Sequence, residues 1–322
     1  MRSPRLKLTG RPAVYHCISR TAGGEFLLDD AAKEQFRSMM WAAADFCGVQ
    51  LLTYAILSNH FHLLLRIPVS PELTDQELYE RVRRYFGAEN RYTRSIEADL
   101  AANGKISSQL RNRLIRRMAD LSLYLKELKQ RFTRWFNQVH DRYGTLWAER
   151  FKSTLVEDEP EALRFVAAYI DLNCVRAGLV DDPKDYRFCG YAEAIAQGGQ
   201  ARQGLAAFLA GADWSSQSQE YRKYLFCRSG VPGSSSKHAL DRQTILAKMR
   251  DGAQIDPAQL LRLKVRYFTD GAVLGSRVFV NEVFLKFRQH FGSKRATGAR
   301  TMAGGPWGSL MVLRKLRLNV FG

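Results

Sequence analysis

No stretch of these 322 residues approaches the ~18 consecutive uncharged apolar residues of a membrane-spanning helix. The sequence therefore predicts no membrane partner. The N-terminus, MRSPRLKLTGRP, is basic but has no apolar core behind it, which argues against a secretory signal. Cysteine is scarce, odd in number and widely spaced: Cys17, Cys47, Cys174, Cys189 and Cys227, with no C-x-x-C. That pattern argues against a disulfide framework or a cysteine-rich zinc site and fits a reducing cytoplasm. Acid is short as well, 32 Asp and Glu against 49 Lys and Arg, for a formal charge of +17. A field of that sign attracts polyanions. Nucleic acid ranks ahead of an anionic membrane because no amphipathic anchor is evident, although part of the excess can be solubilising surface. No internal repeat is present.

What is there is a globular composition, 46% hydrophobic and 25% charged, long enough for one large or two ordinary domains. Its most informative stretch is Tyr54 to Pro68, YAILSNHFHLLLRIP. Two apolar runs, Leu51–Leu57 and Phe61–Ile67, flank the polar break Ser58-Asn59, the pattern of a strand, a tight turn and a second antiparallel strand. Alternation puts His60, His62, Leu64 and Arg66 on one face, and Phe61, Leu63, Leu65 and Ile67 on the other. Two imidazoles on one face of a stiff strand can grip a divalent cation. A pair of half-exposed histidines with no ligand is the plainer alternative.

Around this hairpin the chain predicts strand Val14–Ser19, a helix from Ala31 to about Phe46 capped by Asp29 or Asp30, and a closing strand at Phe151–Glu157. Strand, helix, strand, strand begins a ferredoxin-like β-α-β-β-α-β pattern. The expected fold is α+β, an antiparallel sheet with helices on one face. Residues 71–117 turn polar and charged and predict a helical insertion. From Met118 to His140, Leu121, Leu125, Leu128, Phe132, Trp135 and Val139 repeat at helical spacing. Residues 105–152 hold 12 Lys and Arg against 4 Asp and Glu. Tyr143, Trp147 and Phe151 are interleaved there with Arg142, Arg150 and Lys152. Cations beside rings suit single-stranded nucleic acid, since rings stack on unpaired bases and cations follow phosphates. The rings can equally be core residues.

A further helix is predicted from Pro160 to about Arg176, ending at Gly178. Leu163, Val166, Ile170 and Cys174 form its apolar stripe. Phe165, Tyr169, Asn173 and Arg176 lie about 100° round, with Tyr169 and Asn173 neighbours one turn apart. Arg176 can reach a phosphate or complement the helix terminus. His16, on the first strand, reads as a core histidine. Beyond Tyr191, Gln197–Gly204 and Ser229–Lys237 look linker-like. Residues 256–291 predict a helix over Pro257–Phe268, a break at Asp270-Gly271 and Gly275, and a second helix capped by Ser276. That is either a helix-turn-helix or a plain helix pair. From Phe279 on, eight Lys and Arg stand against Glu282 alone, like a basic arm or a loose end.

Four stretches in order carry a family resemblance: YHCISR, SNHFHLLLRIP, LKQRFTRWFNQVHDRYGTLWAERFKS and YIDLNCVRAGLVDDPKDYRFCGY. They resemble the REP-associated tyrosine transposases, within the single-tyrosine HUH transposases of bacteria, over about residues 12–195 apart from the insertion. Cys174 stands where that family usually has proline, and FCGY where serines are common. The resemblance implies residues 1–195 as the transposase domain, with 71–117 inserted, while the pattern beyond it reads as a linker-like 196–240 and a basic, mostly helical accessory region over 241–322. It implies Tyr169 as nucleophile on single-stranded DNA, with His60, His62 and Asn173 holding Mg²⁺ or Mn²⁺. The product would be a 5′-phosphotyrosine link and a free 3′-hydroxyl. DNA contacts are expected from Arg66, Lys126, Lys129, Arg134, Trp147, Arg150, Lys152 and Arg176. The expected partner is single-stranded or hairpin DNA, with a homodimer left open, in the nucleoid of a cytoplasm. A domesticated nickase and a non-catalytic DNA-binding regulator using the basic C-terminal region are the alternatives.

Overall fold

A computed structural model of the chain describes residues 5–70, 72–196, 198–226, 256–291, 295–303 and 305–313. The linker-like Ser229–Lys237 and the tail cations Lys294, Arg314, Lys315 and Arg317 lie outside the described residues. The fold is α+β. Strand β1 (Ala13–Arg20) leads to helix α1 (Asp30–Cys47), then to the hairpin of β2 (Gln50–Ile56) and β3 (His60–Ile67). Asp29 caps α1 by accepting from the Ala32 amide at 2.7 Å, and Gly48 closes it in the left-handed conformation that glycine adopts without strain. The Leu57 amide donates to the His60 carbonyl at 2.8 Å, so the Ser58-Asn59 break is the hairpin turn that the sequence predicts.

Residues 71–117 form three helices, α2 (Asp75–Phe86), α3 (Arg91–Asn103) and α4 (Ser108–Ile115), as expected of a helical insertion. Their buried Leu78, Val82, Ile96 and Leu114 join the main core. Helix α5 (Leu121–Val139) begins later than the pattern predicts because Asp120 caps it, accepting from the Leu123 amide. Its buried face is Leu121, Tyr124, Leu125, Leu128, Phe132 and Phe136, whereas Val139 is exposed and Trp135 only partly covered. Strand β4 (Lys152–Val156) follows.

The described strands make one sheet in the order β2-β3-β1-β4-β5-β7-β6. Its first four strands are mutually antiparallel, with β1 and β3 inside, which is the ferredoxin-like arrangement. Helices cover both faces, not the single face expected. Phe36 of α1 meets Phe61 at 4.8 Å and Phe132 of α5 at 5.0 Å on one side. On the histidine side lies α6 (Pro160–Asp171). A second layer is required because Leu64 and His62, on that side, are as buried as Leu63 and Leu65 opposite.

The helix predicted from Pro160 to Arg176 breaks at Leu172, and a four-residue α7 (Asn173–Arg176) follows before Gly178. Asp171, just before the break, is fully buried. It accepts from the hydroxyls of Thr53 at 2.8 Å and Tyr221 at 2.6 Å, and from the Tyr191 amide at 3.3 Å. Every residue from Phe165 to Asp171 is buried, so Tyr169 is not on an open face as the apolar stripe suggested. Helices α8 (Gly190–Ala196), α9 (Gly199–Ala206) and α10 (Trp214–Phe226) complete this layer. The segment before α8 shields the outer edge of β2: the Ile56 amide donates to the Phe188 carbonyl, and the Tyr186 hydroxyl to the Ile56 carbonyl.

The C-terminal region differs from the helix pair predicted. Two short helices, Pro257–Leu261 and Arg266–Asp270, replace one long one. Strand β5 (Val273–Gly275) then pairs parallel with β4, so a sheet strand stands where a helix-turn-helix needs its turn. Ser276 does cap the next helix, Arg277–Lys286. Short strands β6 (Arg300–Thr301) and β7 (Met311–Val312) finish the sheet. Among the described residues no helix is long and apolar enough to cross a membrane. The four described cysteines are free and buried.

Helix α9 crosses the β2 bulge at Gly204, where an added Cβ would stand 2.3 Å from the Leu51 carbonyl oxygen and 2.8 Å from that of Leu52. Backbone cannot yield as a flexible side chain can. Gly204→Ala is expected to lower unfolding stability by about 1–3 kcal/mol. The check is a lower urea midpoint at unchanged slope; an unchanged midpoint counts against this packing.

Candidate active site

His60 and His62 occupy the same face of β3, their ring centroids 5.2 Å apart and edge to face. The β1 register sets Arg20 opposite His60 and Ile18 opposite His62. The Asn59 amide group donates through Nδ2 to the Gly24 carbonyl at 2.9 Å, which turns its oxygen toward His60. His60 Nδ1 lies 2.6 Å from that oxygen and must donate to it, which leaves a lone pair on Nε2. His62 Nδ1 lies 2.8 Å from His16 Nε2, and His16 Nδ1 donates to the Phe268 carbonyl at 2.9 Å. His16 is therefore buried, as the sequence predicts, but bonded to a candidate ligand.

All three imidazoles are held neutral. Burial pushes His60 down to about 4, helped by the Arg20 and Arg176 cations, while contact with the Asn173 side chain opposes. Burial lowers His16 to about 3 and His62 well below the ordinary range.

The second half of the site comes from α6 and α7. The Tyr169 ring lies 6.2 Å, centroid to centroid, from both His16 and His62, and 4.9 Å from Phe268. Arg176 stacks over it at 4.0 Å. Burial raises the Tyr169 phenol above its ordinary value, with Arg176 opposing. Arg176 donates at 2.7 Å to the carbonyls of Leu261 and of Tyr169 itself, so the helix-terminus role describes its bonds better than phosphate contact does. Asn173 is 7% exposed, touches His60, and its side-chain nitrogen is a buried polar atom without a hydrogen-bond partner. Among the described residues no cluster of three or more His, Cys, Asp or Glu could hold a metal. A cation here would thus rest on two imidazoles and the amide oxygen of Asn173, the residue beside His60 whose side-chain nitrogen is left without a partner. Such a donor set would leave positions open on a divalent cation, and its two imidazoles suit Mn²⁺ better than the oxygen-seeking Mg²⁺.

His60, His62, Tyr169 and Asn173 line one cavity of about 910 Å³. Tyr169 reaches it although only 2% of its surface is exposed. Arg20, Arg150, Lys152, Arg262, Lys264 and Arg266 also line it, with Asp270 bridged to Lys152 and Arg266. A second groove of about 960 Å³ runs alongside, lined by Lys126, Lys129, Arg134 and Trp147, and Glu149 and Arg150 belong to both. Lys129 bonds the Ser19 hydroxyl and the Glu149 carbonyl, and burial lowers it to about 8.

The structure thus gathers His60, His62, Tyr169, Asn173, Arg150, Lys152 and Arg176 at one cavity and Lys126, Lys129, Arg134 and Trp147 beside it. Trp147 is chiefly core, its ring against Phe36 and Phe61 and its indole N–H donating to Thr133. Arg66 lines neither cavity: it stands four residues from His62, roughly 13 Å along the strand, where it pairs with Asp158 and Gln50. His16, Arg20 and the cations of residues 262–266 were not picked out by the sequence as site residues. YHCISR places His16 on a strand, but only the register of β1 against β3 tells that it meets His62.

No family model and no curated protein matches the chain. Among solved structures, one of a REP-associated tyrosine transposase bound to a REP hairpin aligns at 15% identity with a TM-score of 0.41, over 67% of this chain and 97% of that one.

The unfolded chain takes up protons on its histidines near 6.5, whereas folded His60 and His16 resist until about 4 and about 3. Between those values the unfolded state binds more protons, so stability of the metal-free protein falls as pH drops from about 6.5 towards 4. Urea midpoints across that range check it: His60→Gln should flatten the slope, and an unaltered slope overturns the assignment.

Proposed function

We propose that this protein is a tyrosine transposase that cleaves and rejoins single-stranded DNA next to hairpins, through a covalent phosphotyrosine and with a divalent metal. The observation that carries the proposal is the Tyr169 ring 6.2 Å from that of His62, in one cavity with Asn173 and a rim of cations.

In this mechanism the rim cations Arg20, Arg150 and Lys264 draw the DNA backbone into the cavity and hold a scissile phosphate over the histidine strand. His60, His62 and Asn173 would hold Mg²⁺ or Mn²⁺, which when bound offsets negative charge on the phosphate oxygens. Tyr169 Oη attacks phosphorus as the bond to the 3′-oxygen breaks. The phenol loses its proton, and the departing oxygen gains one to become a free 3′-hydroxyl. Burial works against the phenolate, and the Arg176 guanidinium on the ring face favours it. Because Arg176 also bonds the Tyr169 carbonyl, it fixes the direction of attack. The ester bond is conserved in the phosphotyrosine, so attack by a 3′-hydroxyl reverses the step and joins strands without ATP.

Incubation of the full chain with hairpin-tailed single strands and Mg²⁺ should yield a protein–DNA adduct that survives denaturation. Tyr169→Phe should abolish it while changing DNA affinity by less than about threefold, since no phosphate contact is removed. Binding with no adduct in the wild-type chain would leave a regulator, and cleavage without joining a nickase. Lys126→Ala and Arg134→Ala should each reduce the salt dependence of binding by about 0.7 in the log–log slope, one phosphate contact on a single strand. An unchanged slope removes the second groove from the DNA path.

A further inference from the structure

We propose that His16 is a positioning residue: anchored by the Phe268 backbone carbonyl, it sets His62 in the Nδ1–H tautomer and keeps the Nε2 lone pair available to a divalent cation. This rests on the assignment of His60 and His62 as the cation-holding pair.

The hydrogen bonds leave one solution. A carbonyl oxygen carries no proton, so the 2.9 Å contact between His16 Nδ1 and the Phe268 oxygen requires His16 Nδ1 to donate. A neutral imidazole has one N–H, so His16 Nε2 can only accept. The atom 2.8 Å from it is His62 Nδ1, which must be the donor. A neutral His62 then carries its lone pair on Nε2, on the side of the ring away from His16. An imidazolium at His16 would donate from both nitrogens and reverse the second bond. Burial disfavours that charged form, since His16 is only 1% exposed.

The relay has a purpose that the strand alone does not serve. A free neutral histidine favours the Nε2–H form, which puts its proton where a cation would bind. Both ligand histidines are turned to the other form, each by a different acceptor. Asn59, the preceding residue, does it for His60, whereas His62 depends on a chain from β1 to the C-terminal helix Arg266–Asp270. The rings of His16 and His62 lie edge to edge, centroids 5.1 Å apart and 22° between planes, close to the in-plane alignment that an N–H···N bond favours. The loop after Phe268 is tied to β4, because the Thr154 hydroxyl donates to the Gly271 carbonyl at 3.0 Å, with the Phe268 oxygen 3.4 Å away. Partners of this kind around metal-ligating histidines commonly alter metal affinity 10–100-fold when removed.

The test begins with the metal-free wild-type chain labelled with ¹⁵N-histidine. Two-bond ¹H–¹⁵N correlations should show His16, His60 and His62 all as Nδ1–H tautomers. An Nε2–H proton on His62 overturns the proposal. The second arm is Mn²⁺ affinity by calorimetry. His16→Phe keeps the ring volume but cannot accept, and should weaken Mn²⁺ about 10–100-fold and free His62 to take the Nε2–H form. His16→Gln, whose amide oxygen can accept from His62, should restore affinity to within about threefold of wild type. Wild-type Mn²⁺ affinity in folded His16→Phe, verified by circular dichroism, also overturns it. Mn²⁺ binding that depends on His16, in a chain forming no adduct through Tyr169, upholds this role and removes the transposase function. A chain that binds no Mn²⁺ overturns both.

Discussion

The antiparallel pairing of β1 with β3 is the constraint on which the rest of the site depends. Eight consecutive residue pairs, from Ala13 with Ile67 to Arg20 with His60, tie these two central strands together. A slip of one residue would send every side chain of β3 to the other face, burying the imidazoles against α1 and exposing Phe61. Both strands have neighbours on either side, β2 beyond β3 and β4 beyond β1, so neither can shift without breaking two ladders. The histidines therefore sit on a strand paired along both edges, which suits the proposed holding of a cation and a phosphate in fixed relation.

Around that strand, burial and charge act in opposite directions on the same groups. Burial keeps His16, His60 and His62 neutral, and the cations Arg20, Arg176 and Lys264 reinforce this for His60. Neutral imidazoles inside a positive rim are electron-pair donors in a field that favours anions. In the proposed function such a place would take a metal and a phosphate together. Not every cation is available to a phosphate. Arg176 spends its donors on two backbone carbonyls and its face on Tyr169, and Arg66 is tied to Asp158. The cations of the described residues thus include groups that meet the cavity and groups that hold the fold.

The described C-terminal residues are part of the same construction. Strand β5 extends the sheet beside β4, and the two short helices before it present carbonyls inward: Leu261 to Arg176, and Phe268 to His16. Each contact lies one side chain away from a group at the centre of the proposed chemistry, Tyr169 in the first case and His62 in the second. Coupling between this region and the site needs no remote pathway, because the two share hydrogen bonds.

Local order was legible along the chain. The His60–His62 pair, the turn at Ser58-Asn59, the caps at Asp29 and Ser276 and the stop at Gly178 follow from period, turn chemistry and capping, which act over a few residues. The ferredoxin-like order of the first four strands followed from the succession of elements. Tertiary structure alone decided what those elements meet. Nothing near position 16 announces a partner at position 62, nothing near Trp147 tells core from interface, and the break at Leu172 follows an aspartate buried among residues from three other elements. The overlooked cations Arg262 and Lys264 line the cavity through contacts far apart in sequence, such as Arg176 to the Leu261 carbonyl and β5 to β4. Short-range preferences are written in neighbouring side chains. Burial, tautomer and the company a charged group keeps are set by packing across the whole fold, and those are the properties from which this site is made.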